Sequence, residues 1–193
     1  MGITIAIIGA SLAVALSCVG SGKGVGMVGE ASSGVLAEDP SKFSACLILQ
    51  IMPGTQGLYG LVIWFFAMLQ LGVLGGSPME LTAAQGCAYL LACLPMALGG
   101  YFTAIAQARC AASGVALVAK RAEEMSKGIV LTIMVEFYAI LCLLASFLML
   151  LFLGLFPDGG TDGSQQLFVR RATAQQGAQV APGLAGKAGA QKA

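Results

Sequence analysis

The amino-acid sequence predicts an all-α membrane protein with four transmembrane helices arranged as two tandem helical hairpins. Hydrophobic residues make up 58% of the 193 residues and charged residues only 10%, a far more apolar composition than a soluble domain requires. Four apolar segments, each longer than the roughly 20 residues that a helix needs to cross a bilayer, are separated by short polar links. These segments are residues 3–34, 43–74, 83–117 and 129–156.

Small residues dominate the first and third segments. The first is unusually rich in glycine, and the third is rich in glycine and alanine. Because small side chains let helix backbones approach closely in lipid, we expect these two segments to form a tight inner wall. Residues 24–29 also fit the GxGxxG pattern, but no strand precedes them, so we reject a dinucleotide site.

The two hairpins look like copies of each other. Ser41-Lys42 before the second segment recurs as Ser126-Lys127 before the fourth, which indicates duplication of one ancestral hairpin. Basic residues gather in and beside the first and third links, and none lies in the middle link at residues 75–78. The positive-inside rule therefore predicts a multi-pass protein of the cell membrane with both termini on the outer side.

We divide the chain accordingly into three regions. Residues 1–76 form the first transmembrane hairpin, and residues 77–156 form the second. Residues 157–193 are rich in glycine, alanine and glutamine and lack apolar periodicity, so we expect a disordered C-terminal tail.

Composition excludes several kinds of chemistry. A formal net charge of +1 gives no support to nucleic-acid binding, and the absence of histidine removes the commonest metal ligand and general base. The six cysteines show no CxxC pairing and lie mostly in apolar segments, so we expect small buried side chains rather than disulfides.

The fourth segment contains a single ionisable side chain, Glu136. A carboxylic acid near the centre of a membrane helix costs about 2.5–3.5 kcal/mol on insertion scales, so it is seldom present without a partner or a task. A functional role is the default interpretation. The structural alternative is a protonated acid that hydrogen-bonds to a neighbouring helix.

The second segment carries a polar cluster beside a proline. Pro53 lacks an N–H group and displaces nearby carbonyls, including that of Met52, from the helical ladder. Thr55, Gln56 and Tyr59 follow at spacings that place their oxygens on one helix face.

Gln107 in the third segment adds an amide to this set. Hard oxygen ligands with one carboxylate suit a monovalent cation better than calcium. The alternative is that Thr55, Gln56 and Gln107 are hydrogen-bond contacts between helices and Pro53 is only a kink.

These motifs resemble the duplicated-hairpin proteolipid, the K or c subunit, of V-type and A-type rotary ATPases. The resemblance rests on PGTQGLYG at residues 53–60, GKGVGMVGEA near Lys23, IAQ at residues 105–107 and MVEFYAIL at residues 134–141, and it covers residues 3–156. The PGTQGLYG sequence is closest to the sodium-transporting bacterial members.

The resemblance implies a site and a set of partners. The Na⁺ ligands would be the Met52 carbonyl, Thr55, Gln56, Gln107 and Glu136, with Tyr59 bonding the carboxylate, and no organic cofactor is implied. Gly54 would stand opposite Glu136 in the first hairpin, so that only the second hairpin carries the ion. Identical copies would form a ring in the lipid bilayer that turns against a membrane stator subunit with an arginine and is joined to central-stalk subunits.

Three functions stay open at this point. The first is a non-catalytic rotor subunit that carries Na⁺ on Glu136, and the second is the same rotor carrying H⁺. The third is a four-helix channel or interaction proteolipid unrelated to an ATPase. The polar oxygen set favours the sodium rotor over the proton rotor.

Overall fold

The computed structural model of the chain describes residues 1–155, and all regular secondary structure in this part is helical. The tail predicted for residues 157–193 lies outside the described residues. Three short 3₁₀ turns, at Pro40–Lys42, Met52–Gly54 and Ala122–Glu124, connect or interrupt the longer helices. The longer helices are α1 (Gly2–Glu38), α2 (Phe43–Ile51), α3 (Thr55–Gln70), α4 (Ala83–Lys120) and α5 (Met125–Leu155).

The four predicted transmembrane segments are confirmed. Within residues 1–155, four helical stretches are long and apolar enough to cross a membrane, and the second of them joins α2 and α3. α1 runs four residues past the predicted end at position 34. It stops at Asp39, which is extended (φ −142°, ψ 92°), as expected for a residue that precedes a proline.

The second segment ends earlier than predicted. α3 stops at Gln70 rather than at position 74 because Gly72 follows with a positive φ of 69°. Glycine adopts this left-handed conformation without steric cost and commonly ends a helix. The middle link therefore begins about one turn before the position that the apolar pattern predicts.

α1 and α4 form the tightly packed centre of the bundle. α1 packs more extensively against α4 than against any other helix, and glycines make the close approach possible. A Cβ atom added to Gly20 would lie only 2.6 Å from the Cα of Tyr101, and one added to Gly24 would lie 3.0 Å from the carbonyl oxygen of Ala104. The predicted close packing of the first and third segments is thus confirmed.

α5 lies against α4 and exposes large apolar side chains, among them Leu131, Phe137 and Tyr138. Such an exposed apolar surface suits contact with lipid or with other membrane helices. Buried serines join the helices instead of charges. The Met96 N–H donates to Ser146 Oγ at 2.9 Å, and Ser17 Oγ donates to the Met96 carbonyl at 3.1 Å.

The first and third links lie at the same end of the bundle, which we call the charged end and define as residues 38–43 and 120–127. Lys42 Nζ donates to the Ala119 carbonyl at 2.8 Å across the two links. Lys42 also pairs with Asp39 at 3.4 Å, and Lys127 pairs with Glu124 at 2.5 Å.

All six cysteines are free thiols. Cys46 and Cys93 are buried, whereas Cys18 and Cys87 are exposed. The prediction that the cysteines are small buried side chains is therefore wrong for the exposed pair. Cys18 nevertheless contacts α3, since its thiol donates to the Gly57 carbonyl at 3.9 Å.

Candidate ion-binding site

The site begins at the interruption between α2 and α3. Pro53 cannot donate a backbone hydrogen bond, and the chain makes one 3₁₀ turn at Met52–Gly54 before α3 starts at Thr55. The Met52 carbonyl leaves the regular helical pattern, as predicted. It accepts from the Thr55 N–H and from Thr55 Oγ1, the latter at 3.1 Å.

Two glutamines meet beneath this turn, and both side chains are fully buried. Gln56 Nε2 on α3 donates to Gln107 Oε1 on α4. Gln56 Oε1 has no hydrogen-bond partner although it is buried. A buried amide oxygen without a partner costs free energy, so it marks a place where a ligand would be stabilised.

Glu136 on α5 completes the network. Tyr59 Oη donates to Glu136 Oε1 at 2.6 Å, and Gln107 Nε2 donates to Glu136 Oε2 at 3.4 Å. One hydrogen-bonded chain therefore runs from Gln56 through Gln107 to Glu136 and on to Tyr59. It connects three consecutive helices, α3, α4 and α5.

Four of the six predicted site residues form this network. The other two are Thr55, which precedes Gln56 in the chain, and Met52, whose carbonyl accepts from Thr55. Gln107 is turned differently from the expectation. Its amide oxygen faces Gln56 while its amide nitrogen faces the carboxylate. A cation beside Glu136 needs the opposite orientation. A rotation of the Gln107 amide about its last torsion would turn its oxygen towards Glu136. Its nitrogen would then meet Gln56 Nε2, so the Gln56 amide would have to rotate with it.

The electrostatics of the site suit a single positive charge. Glu136 supplies one carboxylate, and Thr55, Gln56 and Gln107 are neutral oxygen donors. The ion pairs within residues 1–155 lie at the charged end and do not include Glu136. A bound monovalent cation would neutralise this carboxylate, and the unpartnered Gln56 Oε1 offers it a ready ligand.

Glu136 is half-buried and opens onto a shallow groove of about 680 Å³ on α5. The other residues of this groove are apolar or aromatic: Ile133, Met134, Phe137, Tyr138 and Ile140. The carboxyl group is therefore tied to the bundle interior by Tyr59 and Gln107, yet it lies at the surface of the bundle.

Sequence reasoning missed a supporting residue, Ser21 on α1. The Gly57 N–H donates to Ser21 Oγ at 2.8 Å, and the serine is buried. This bond replaces the helical bond that Gly57 loses beside the Pro53 turn and fixes the first turn of α3. The available signal was a serine among the small residues of a helix that packs against a proline break.

Comparisons with known proteins agree with this architecture. The model of the family of the ATP synthase C subunit matches twice, at residues 8–67 and 90–149. The two matches confirm the internal duplication. Gly54 lies as many positions after the start of the first match as Glu136 lies after the start of the second match. Gly54 thus marks the position in the first hairpin that has no carboxylate.

Two relatives extend the similarity along the chain. V-type sodium ATPase subunit K from Enterococcus hirae is 44% identical over 150 residues, covering 78% of this chain and 92% of the relative. A-type ATP synthase subunit K from Methanocaldococcus jannaschii is 34% identical over 182 residues, covering 94% of this chain and 73% of the relative. With two repeats, four membrane helices and this similarity to both K subunits, the chain belongs to the family of the ATP synthase C subunit as a duplicated-hairpin proteolipid of the V-type and A-type rotary ATPases.

Proposed function

We propose that this chain is the non-catalytic, ion-carrying subunit of the rotor ring in a V-type ATPase and that it transports Na⁺ on Glu136. The observation that carries the proposal is the buried network in which Gln56, whose Oε1 has no partner, is joined through Gln107 to Glu136. The ligands would be Glu136 and the oxygens of Thr55, Gln56, Gln107 and the Met52 carbonyl. The sodium ATPase named among the relatives supports the same ion.

The oxygen atoms gathered near Glu136 favour a metal cation over a proton as the cargo. A proton needs only one hydrogen-bond acceptor, whereas Thr55, Gln56, Gln107 and the Met52 carbonyl together offer the several oxygens that a hard cation prefers. The observed orientation of the Gln107 amide does not decide between the two, because a bound cation would also require this amide to turn.

Charge compensation is the basis of the proposed transport cycle. With Na⁺ bound, Glu136 is electrically neutral and can face lipid as the ring turns. At the contact with a membrane stator subunit, an arginine of that subunit would stabilise the empty carboxylate and release the ion. Because one charge crossing 100 mV changes free energy by about 2.3 kcal/mol, uphill transport needs torque from ATP hydrolysis in another part of the complex.

The proposed assembly follows from this cycle. Identical copies form a ring in the cell membrane, and the ring contacts the stator and the central-stalk subunits. We infer that both termini lie on the outer side, which places the charged end in the cytoplasm. The basic residues of this end, including Lys42, Lys120 and Lys127, support that orientation by the positive-inside rule.

Replacement of the carboxylate tests the proposal. Glu136→Gln keeps the size of the side chain but removes the charge, so we expect assembly without ATP-driven Na⁺ uptake in reconstituted vesicles. The matched control is Glu80→Gln, which alters an exposed acid in the middle link. Normal Na⁺ uptake by the Glu136 variant would refute the proposed role.

A further inference from the structure

Two opposite charges outside the ion site lack partners within one copy of the chain. Glu30 on α1 and Arg109 on α4 are both exposed. The ion pairs among residues 1–155 join Lys42 with Asp39 and Lys127 with Glu124, so neither Glu30 nor Arg109 is paired within the described chain. Charged side chains on membrane helices are rarely left without a partner.

The two charges lie at nearly the same depth in the bundle. Gly20 is level with Tyr101, and Gly24 is level with Ala104 and Ala108, because added Cβ atoms would touch those residues. The same register places Glu30 beside the turn of α4 that follows Arg109. At about 1.5 Å per residue, the depths of the two charges differ by no more than about one helical turn.

They lie on different flanks of the bundle. Glu30 shares an exposed strip of α1 with Val19, Lys23 and Gly26. Arg109 borders a groove of about 290 Å³ between α4 and α5, together with Ser113 and Leu131. One copy therefore presents a negative charge on its α1 flank and a positive charge with open space on its α4 flank.

The strip also contains Lys23, but this residue is engaged within its own copy. Lys23 Nζ donates to Tyr101 Oη at 3.2 Å and lies 5.5 Å from the centre of that ring. It is also two turns from Glu30 along α1, so it does not neutralise the acid.

Other exposed acids do not match the depth of Arg109. Glu38 and Glu123 lie at the charged end, and Glu80 lies in the middle link at the opposite end of the bundle. Glu136 lies within about one turn of the depth of Arg109, but Tyr59 and Gln107 already hold its carboxyl group. Glu30 is thus the exposed acid of the described chain whose depth fits Arg109 on a neighbouring copy.

We propose that Glu30 of one copy forms an ion pair with Arg109 of the next copy at every interface of the ring. The inference rests on the ring assembly in the proposed function but adds a specific contact. With the α1 flank of one copy against the α4 flank of the next, the same pair would repeat head to tail around the ring. It fixes the depth and order of the copies more than it adds affinity.

A charge-exchange experiment tests the pair. The readout is the temperature at which the purified ring separates into single subunits in mild detergent, followed by native mass spectrometry. Glu30→Arg and Arg109→Glu should each lower this temperature by several degrees because like charges then meet. The double exchange should restore the wild-type value, and Glu38→Arg, on the same helix as Glu30, should leave it unchanged.

Neutral variants guard against misfolding by the reversed charges. Glu30→Gln and Arg109→Gln should each lower the temperature at which the ring separates. The double variant should lower this temperature no further than either single variant, since each single change already removes the pair. Additive losses, or a double exchange that fails to restore the ring, would overturn the proposal. The proposal would also be overturned if only the Arg109 variants lowered the separation temperature and added anionic phospholipid reversed their effect. The partner of Arg109 would then be a lipid phosphate.

The result is separable from the ion assignment. On the same samples, we measure whether Na⁺ slows the reaction of Glu136 with a hydrophobic carbodiimide. If Na⁺ has no effect on this reaction, the sodium proposal is refuted, but the result of the charge exchange still stands. A wild-type chain that stays monomeric would overturn the pair together with the ring.

Discussion

Tyr59 Oη donates a hydrogen bond of 2.6 Å to Glu136 Oε1, although the residues are 77 positions apart. The bond joins the helix of the proline break to the helix of the membrane carboxylate. It holds Glu136 against the bundle while the other side of the carboxyl group borders the apolar groove on α5. The orientation of the Glu136 carboxyl group therefore depends on a neutral phenol.

Removal of this phenol hydroxyl should weaken ion binding without abolishing it. In Tyr59→Phe, the carboxylate loses its stronger hydrogen bond and its fixed orientation. Because outer partners of metal ligands typically contribute 10–100-fold in affinity, we expect about a tenfold weaker affinity for Na⁺. Equilibrium binding of radioactive Na⁺ to purified rings measures this affinity. Tyr89→Phe, which alters a buried tyrosine away from the site, is the control, and equal affinities in all three proteins would contradict the proposed role of Tyr59.

The unpartnered amide of Gln56 gives a second prediction. Gln56→Leu removes a proposed ligand and the bond to Gln107 while it keeps the side chain buried. We expect Na⁺ affinity to fall by about 10–100-fold, with assembly preserved. The control is Gln50→Leu, on α2, whose amide packs against Gly29 rather than the site. Unchanged Na⁺ affinity in the Gln56 variant would assign this residue to helix contact alone.

Close packing of α1 and α4 predicts a sharp contrast between two glycines. A Cβ at Gly20 would lie 2.6 Å from the backbone of Tyr101, whereas one at Gly34 meets nothing within 4 Å. Gly20→Ala should therefore destabilise the folded chain by about 1–3 kcal/mol through overpacking. Gly34→Ala should be neutral or stabilising by up to about 1 kcal/mol. Thermal unfolding in detergent compares them, and equal unfolding temperatures would contradict this packing.

The charged end should show a dependence on acid. Hydrogen bonds from the Ser41 side chain and then from its backbone N–H lower the pKa of Asp39 below the ordinary 3.8. A carboxylate with a lowered pKa contributes stability that is present above the unfolded value and is lost as pH falls through the folded value. We expect Asp39→Asn to remove this part of the acid dependence below about pH 4, as measured by thermal unfolding at several pH values. If the unfolding temperature depended on pH in the same way in both proteins, a stabilising role for the hydrogen bonds between Ser41 and Asp39 would be refuted.

Sequence reasoning predicted the helices because apolar length and short polar links are strong signals. It placed the end of α3 too late, since the turn at Gly72 depends on backbone conformation rather than hydrophobicity. The members of the candidate site were also predictable from the break at Pro53 and the isolated acid at Glu136. The direction of the Gln107 amide was not, because it depends on a contact with Gln56 across two helices.

Ser21 illustrates the other limit. Its role is visible only after α1 and α3 are packed, because its partner is the backbone N–H of Gly57 rather than a side chain. The exposure of Cys18 and Cys87 also depends on how the helices pack, which the sequence does not show directly. A residue type indicates burial on average, whereas the face of the helix decides it for a particular side chain.

The central claim is that Na⁺ occupies the site of Glu136, and reaction of this carboxyl group with a hydrophobic carbodiimide tests it most directly. The labelling rate is measured on purified rings at fixed pH, with and without Na⁺, and Glu136→Gln defines the background. We expect slower labelling as Na⁺ rises, with a higher protecting concentration in Gln56→Leu. Labelling that responds to pH but ignores Na⁺ would contradict the claim and would identify a proton-carrying ring.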